Sequence, residues 1–181
     1  SMTLEVTLDD EPPERPQIDL ILAIPRPKAL KRIIPALASL GIDRVLLVNA
    51  ARVEKSYFDS KVLNDSFLDG LIDLGLEQAR DTVAPQIDMR HRFRPFVEDE
   101  LDTWCKPNSK RLVPHPDARE KAAAVAISQH LTIAIGPDGG WTPFEIELLS
   151  NRRFTPISVG PRPLRVEVAV PTVIGALRAS W

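Results

Sequence analysis

Two bends of the chain combine residues that bare the main chain to a ligand. The first is Gly136-Pro137-Asp138-Gly139-Gly140, which ends the alternating apolar run Leu131, Ile133, Ile135. Thr142 followed by Pro143 and Glu145 forms a capping box with proline at the first helical position, so the bend leads from a strand's carboxyl end into a helix start. Glycines there permit positive φ and remove Cβ atoms, which opens backbone N–H and C=O groups to a ligand. Phosphate is one candidate, since a helix N-terminus offers free N–H groups. Against it, the loop lacks the Gly-Lys-Ser/Thr ending of a P-loop and the spacing of a dinucleotide turn, and Asp138 repels an anion. A plain tight turn is the remaining reading. The second bend, Gly160-Pro161-Arg162-Pro163-Leu164-Arg165, again follows an apolar strand and is succeeded by Glu167. Together the two predict a pocket shaped by main chain, suited to a flat, hydrogen-bonding ligand such as an adenine.

The elements that must position these bends alternate. Residues 18–24 read as a strand buried on both faces. Residues 27–40 read as a helix with Leu30, Ile33, Ile34, Leu37 and Leu40 on one side, kinked or broken at Pro35 and stopped by Gly41. Strands follow at 44–49, 86–93, 110–115, 131–135 and 155–160. Helices are expected at 59–80 (Leu63, Phe67, Leu71, Leu74 and Ala79 inward), 94–105, 118–129, 143–150 and 166–180. Such alternation predicts an α/β fold, a mostly parallel sheet covered by helices on both faces, with ligands held beyond the carboxyl ends of the strands.

Composition narrows the classes. A chain of 181 residues with 44% hydrophobic content supports one domain with a full core. One cysteine, Cys105, excludes an intramolecular disulfide and suits a reducing, cytoplasmic compartment; it reads as a buried, inert thiol. No apolar run approaches the roughly 20 residues of a membrane span. His91, His115 and His130 lack ligand-like spacing, so no metal is expected. The net charge of −2 hides a split: residues 1–20 hold six acids against Arg15, and the rest of the chain is net positive. Basic clusters lie at Arg26, Lys28, Lys31 and Arg32, at Arg90, Arg92 and Arg94, and at Lys106, Lys110 and Arg111. Solvated faces explain most such clusters, and RNA contact is the other reading.

The segments "IGPDGGWTPFEIELL" and "SVGPRPLRVEVAV" resemble the bacterial 16S ribosomal RNA uridine-N(3) methyltransferases of the SPOUT superfamily, with weaker similarity over residues 18–181. The resemblance implies a SPOUT domain over 18–181 with a C-terminal trefoil knot. Residues 1–17 would be a tail or linker, with Leu4–Leu8 a remnant of the family's N-terminal PUA-like domain. It implies S-adenosylmethionine as cofactor, held by Gly136, Gly139, Gly140, Val159, Gly160, Leu164 and Arg165, with Leu112 to His115 as a third wall. Arg165 would stabilise negative charge on the uridine, and Glu167 would orient it or act as general base. Arg52, Lys55 and Gln78 match positions facing RNA or the pocket mouth. The implied partners are ribosomal RNA or the small ribosomal subunit and a second copy of the chain, dimerising through the knot helices. Trp141 and Trp181 read as packing residues, Trp141 alternatively as a base-stacking one. Val166 and Val168 stand where the family carries threonines. That difference keeps open an alternative, a degenerate SPOUT protein that binds S-adenosylmethionine or RNA without methyl transfer.

Overall fold

The computed structural model describes residues 14–126 and 129–178, together with residues 3 and 5. Trp181 and most of the expected strand Leu4–Leu8 lie outside the described residues. The chain runs β1 (Ile18–Ala23), α1 (Pro27–Ser39), β2 (Arg44–Val48), α2 (Asp65–Ala79) and β3 (Gln86–Arg90). Then follow α3 (Phe93–Pro95), a π turn at Phe96–Glu100, α4 (Leu101–Trp104), β4 (Lys110–Pro114), β5 (Leu131–Ile135), α5 (Pro143–Asn151), β6 (Thr155–Ile157) and α6 (Val166–Arg178). The six strands form one sheet ordered β3-β2-β1-β5-β4-β6, and every neighbouring pair is parallel. All six residues of β1 are buried, as an apolar strand covered on both faces requires.

From β1 the chain builds outward through β2 and β3, whereas β5, β4 and β6 lie on the other side. The β1–β5 seam, with Ile18 opposite Leu131 and Leu22 opposite Ile135, is therefore the point where strand order reverses. Ligand crevices in open parallel sheets form beyond the strand ends at such a point.

α1 packs against α2 and α6, burying Ala29, Leu30, Ile33, Ile34, Leu37 and Ala38. Pro35 does not break it. The Ser39 hydroxyl donates to the carbonyls of Pro35 and Gly75, each at 2.9 Å. Gly41 ends the helix at φ +71°; its N–H donates to Ala38 O, and the Ile42 N–H to Leu37 O, the paired bonds of a glycine C-cap.

Three expected elements differ. The long helix begins at Asp65 rather than 59, after a 3₁₀ turn at Lys61–Leu63. Its inward face is Leu68, Leu71, Ile72, Gly75 and Leu76; Leu74 and Phe67 are exposed. The reason is Gly75. A Cβ there would stand 2.3 Å from Pro35 O and 2.7 Å from Ala38 Cβ, so the helices touch through a residue that a hydrophobic stripe does not count. Third, residues 118–126 form no α-helix, only a 3₁₀ turn at Ala122–Ala124. Alanine propensity loses there to the sheet edge, because Lys121 bridges to Ser158 and the backbone is drawn out beside it.

A polar cluster lies where the strands begin. Asp19 is fully buried, bonds Arg44, and faces His130 Nε2 at 3.6 Å. The Arg44 guanidinium covers the Trp104 ring at 4.6 Å.

Candidate functional site

The glycine turn folds back on itself at the end of β5. A Cβ on Gly136 would lie 2.9 Å from Trp141 N, so this glycine serves the turn's own closure. The Gly140 N–H donates to Pro137 O at 2.7 Å, and Gly140 sits at φ +69°. Trp141 is buried; its indole N–H reaches Ala134 O at 3.3 Å and its ring tilts against Phe93 at 4.9 Å. Its burial and contacts are those of a packing residue, and it also borders the cavity.

Loops from two neighbouring strands grip this turn. The capping box is present: Glu145 Oε2 accepts from the Thr142 N–H at 2.7 Å and the Thr142 hydroxyl at 2.9 Å. Glu145 Oε1 accepts from the Ala51 N–H at 2.8 Å, fastening the loop after β2. From that loop Arg52 Nη1 donates to Gly139 O. From the loop after β1, Arg26 Nε meets Asp138 Oδ2 at 3.2 Å across the β1–β5 seam. Asp138 is thus neutralised by Arg26, and the objection it raised to an anion is weakened.

The second wall is the loop after β6. The Gly160 N–H donates to Ser158 Oγ at 3.2 Å. Gly160 sits at φ +130°, where only glycine is relaxed, and a Cβ there meets no protein atom within 4 Å. The chain at Ile157–Ser158 is bracketed on both sides by one loop. Ile157 O accepts from the His115 N–H at 2.9 Å, Ser158 donates to Glu120 O at 2.7 Å, and Ser158 O accepts from the Ala122 N–H at 2.8 Å.

Between these walls lies a cavity of about 370 Å³, within the range of small-molecule sites. Gly136, Gly139, Gly140, Val159, Gly160 and Leu164 all line it, so the two bends do meet. Of the expected third wall, Pro114 and His115 line it, joined by Pro116 and Asp117; Leu112 and Val113 are buried in the strand instead. The floor is apolar: Ile135, Val166, Ala169 and Val173.

Arg165 stands just before α6, exposed and outside the cavity lining. Its carbonyl accepts the Val168 and Ala169 N–H groups. Among the described residues no carboxylate forms an ion pair with it. Glu167, in the first turn of α6, keeps Oε2 buried without a hydrogen-bond partner, within the field of Arg26. Of the two valines replacing threonines, Val166 faces the cavity and Val168 is exposed. Arg52 lines the cavity, and Lys55 opens an exposed turn seven residues after β2 ends. Gln78 is not brought there. It sits in the last turn of α2, near Asp81, which faces Arg15 at 3.9 Å where the strands begin; an antiparallel helix carries its C-terminus away from the strand ends.

Sequence reasoning missed Arg26 and the floor residues. Arg26 lies three residues beyond β1, but only the strand order reveals β1 as the neighbour of β5. Cys105 is buried, and burial pushes its thiol pKa up. Among the described residues no cluster of three metal-ligating side chains occurs and no helix is long and apolar enough to cross a membrane.

Residues 12–178 match the RNA methyltransferase domain family. The ribosomal RNA small subunit methyltransferase E of Treponema pallidum (strain Nichols) is 31% identical over 84% of this chain and 58% of its own length. That of Mycobacterium bovis (strain ATCC BAA-935 / AF2122/97) is 27% identical over 92% and 64%. The chain therefore spans less than two thirds of the length of these curated relatives. Among solved structures, a Legionella pneumophila protein in complex with the bound cofactor SAM is 25% identical with a TM-score of 0.76, covering 97% of this chain and 70% of that one. The Neisseria gonorrhoeae ribosomal RNA small subunit methyltransferase E bound to S-adenosyl methionine is 22% identical with a TM-score of 0.77, at the same coverages.

Proposed function

We propose, from the premise that this chain belongs to the RNA methyltransferase domain family, that it methylates N3 of a uridine in small-subunit ribosomal RNA, using S-adenosylmethionine. The observation that carries this is the meeting of both glycine bends around one cavity. The residues fit the cofactor. The walls are largely backbone and proline, the floor is apolar, and Gly160 leaves its Cβ side open. Gly136, Gly139, Gly140, Val159, Gly160 and Leu164 would hold it, with Arg165 at the rim.

When bound, S-adenosylmethionine supplies a methyl group on a cationic sulfur, transferable to a nucleophilic nitrogen. The chain's part is to remove the imide proton of the uridine and to accommodate the resulting charge. Glu167 Oε2, buried and unpartnered, is an acceptor free to take that proton. It suits the base role better than the orienting one, because its expected partner Arg165 is not bonded to it. The exposed guanidinium of Arg165 is free to meet negative charge on the uridine carbonyl oxygens. Arg52 and Lys55 would contact RNA at the mouth; Gln78 is left out because it lies at the other end of α2. The bracketing of Ile157–Ser158 by residues 115–122 supports a chain threaded through that loop as a trefoil knot. Residues 18–181 would form the catalytic domain, cytoplasmic and dimeric through α6, with residues 1–17 a tail or linker.

A second reading, a degenerate SPOUT protein that binds S-adenosylmethionine or RNA without methyl transfer, is favoured by one observation: neither Arg165 nor Glu167 lines the cavity. Two measurements decide. Calorimetry with S-adenosylhomocysteine tests the cavity, and Gly160→Ala is expected to weaken binding at least about tenfold by filling the open side of the wall. Transfer of tritiated methyl to small subunits lacking the modification tests the reaction. Arg165→Ala should abolish transfer while leaving cofactor affinity within about tenfold. Cofactor binding without transfer by the unmodified protein would establish the second reading.

A further inference from the structure

The first two turns of α1 carry Lys28, Lys31 and Arg32, all exposed. They stand at i, i+3 and i+4, so the three charges share one face of the helix. No aspartate or glutamate occurs anywhere from Leu20 to Ile42, and the first turn of α1 has no acidic residue. Among the described residues none of the three has an ion-pair partner. Several arginines of the other basic clusters are paired: Arg90 with Glu100, Arg94 with Glu98, and Arg111, together with Arg152, with Asp102. Those pairs dispose of much of the two other basic clusters.

This placement opposes the helix's own electrostatics. The N-terminal end of a helix carries partial positive charge and favours anions, and like charges at i, i+4 repel. Three cations there, with no carboxylate to relieve them, are disfavoured in the isolated protein and relieved by an anion that spans all three. Lys31 is held by the Phe67 ring from α2, its Nζ 4.9 Å from the ring centroid. Position supplies the rest. α1 begins at the strand ends that form the cavity, and Arg26, just before it, is tied to Asp138 of the glycine turn.

We infer that the Lys28, Lys31 and Arg32 face is an RNA backbone site that holds the strand flanking the target base. The inference rests on the proposal that the substrate is RNA and adds where its phosphates lie. The cations on α1 anchor the strand electrostatically, and Arg26 marks the short path from that anchor to the cavity.

The test uses the full chain with S-adenosylhomocysteine present and a short fluorescein-labelled oligouridylate, read by fluorescence anisotropy from about 50 to 200 mM salt. The variant is Lys28→Ala, Lys31→Ala, Arg32→Ala combined. Binding should weaken at least about tenfold at 100 mM salt, and the slope of log affinity against log salt should fall by about 2, near 0.7 per lost phosphate contact. The variant should melt within about 4 °C of the unmodified protein, because alanine's helix preference and the relieved repulsion offset the lost Lys31–Phe67 contact. An unchanged slope overturns the inference, as does absence of RNA binding by the unmodified protein. A melting temperature lowered by more than about 4 °C overturns it too, by showing that the three side chains serve packing. Equal displacement of the RNA by polyglutamate of matched charge would reassign the face to any polyanion and also overturn it. Cofactor binding and methyl transfer, measured separately on the unmodified protein, report on the proposed function. Active protein with an unchanged slope in the variant sinks this inference alone.

Discussion

Glu145→Gln is the most informative single substitution, because it replaces one atom in the joint that binds three segments. Glu145 is 3% exposed, and its two oxygens serve opposite sides. Oε1 accepts from Ala51 N–H at 2.8 Å, and Oε2 from the N–H and hydroxyl of Thr142 at 2.7 and 2.9 Å. An amide can present its oxygen to only one side. In the better orientation the oxygen stays on Thr142 and the NH₂ group turns toward the Ala51 N–H, donor against donor. One charge-assisted hydrogen bond is lost and one N–H goes unsatisfied, about 2–3 kcal/mol in all. For a chain of this size about 2–4 °C of melting temperature corresponds to each kcal/mol, so a fall of roughly 4–12 °C is expected. Glu145→Ala leaves both sides unserved and should cost more, about 3–5 kcal/mol. The functional consequence follows from where Ala51 leads. Freed from Glu145, the loop after β2 loses its tie to α5, and Arg52 no longer holds Gly139 in register. S-adenosylhomocysteine affinity, measured by calorimetry below the melting transition, should fall about tenfold or more. A Glu145→Gln protein that melts within about 1 °C of the unmodified one and binds as tightly would refute the clamp.

Gly75→Ala should destabilise the α1–α2 seam by about 2–4 kcal/mol, since its Cβ would meet Pro35 O at 2.3 Å; thermal unfolding checks it, and a neutral result would mean that the helices are not in contact there. His130, buried beside Asp19, has its pKa lowered mainly by desolvation, Asp19 opposing. A histidine depressed in the folded state binds its proton more readily when unfolded. Its contribution is therefore complete above pH of about 6.5 and is lost as pH falls from there through the folded value, at up to about 1.4 kcal/mol per pH unit. Urea unfolding across pH 7.5 to 5 should show that slope and His130→Gln should flatten it; an equal slope in both would place the titration elsewhere.

Periodicity made the strand–helix alternation legible, and the six strands of the sheet are the ones that apolar runs mark. What it could not supply was the strand order, because parallel neighbours are set by crossover connections rather than by local pattern. That single gap explains why Arg26 was read as one member of a surface cluster. Once β1 is seen beside β5, the loop after β1 must face the loop after β5, and Arg26 meets Asp138. The two glycine bends were more legible than the side chains of Arg165 and Glu167, for a physical reason. Glycine and proline dictate backbone shape locally, so their meaning survives without neighbours. What Arg165 and Glu167 can reach depends on side-chain placement: Arg165 is exposed, whereas Glu167 Oε2 is buried. The helix face of α2 was misjudged because its closest contact is made by Gly75, a residue whose value lies in the side chain it lacks.

Arg52 brings the two halves of the site into one argument. Its guanidinium donates to Gly139 O, which assigns it to the cofactor turn, yet the side chain is exposed at the mouth, where RNA contact is proposed. The roles are compatible, because a guanidinium has five N–H donors in a planar fork; a single bond to a carbonyl leaves others for a phosphate. A lysine could hold the carbonyl as well, but its compact ammonium would be shared between two acceptors without the fork's fixed geometry. Asp138 is treated differently: its carboxylate is met by Arg26 at 3.2 Å, so that negative charge at the rim does not stand unopposed against an incoming polyanion. The one acid of the turn is thus met by Arg26, while the cations at the start of α1 have no carboxylate partner among the described residues, as the proposed RNA site requires.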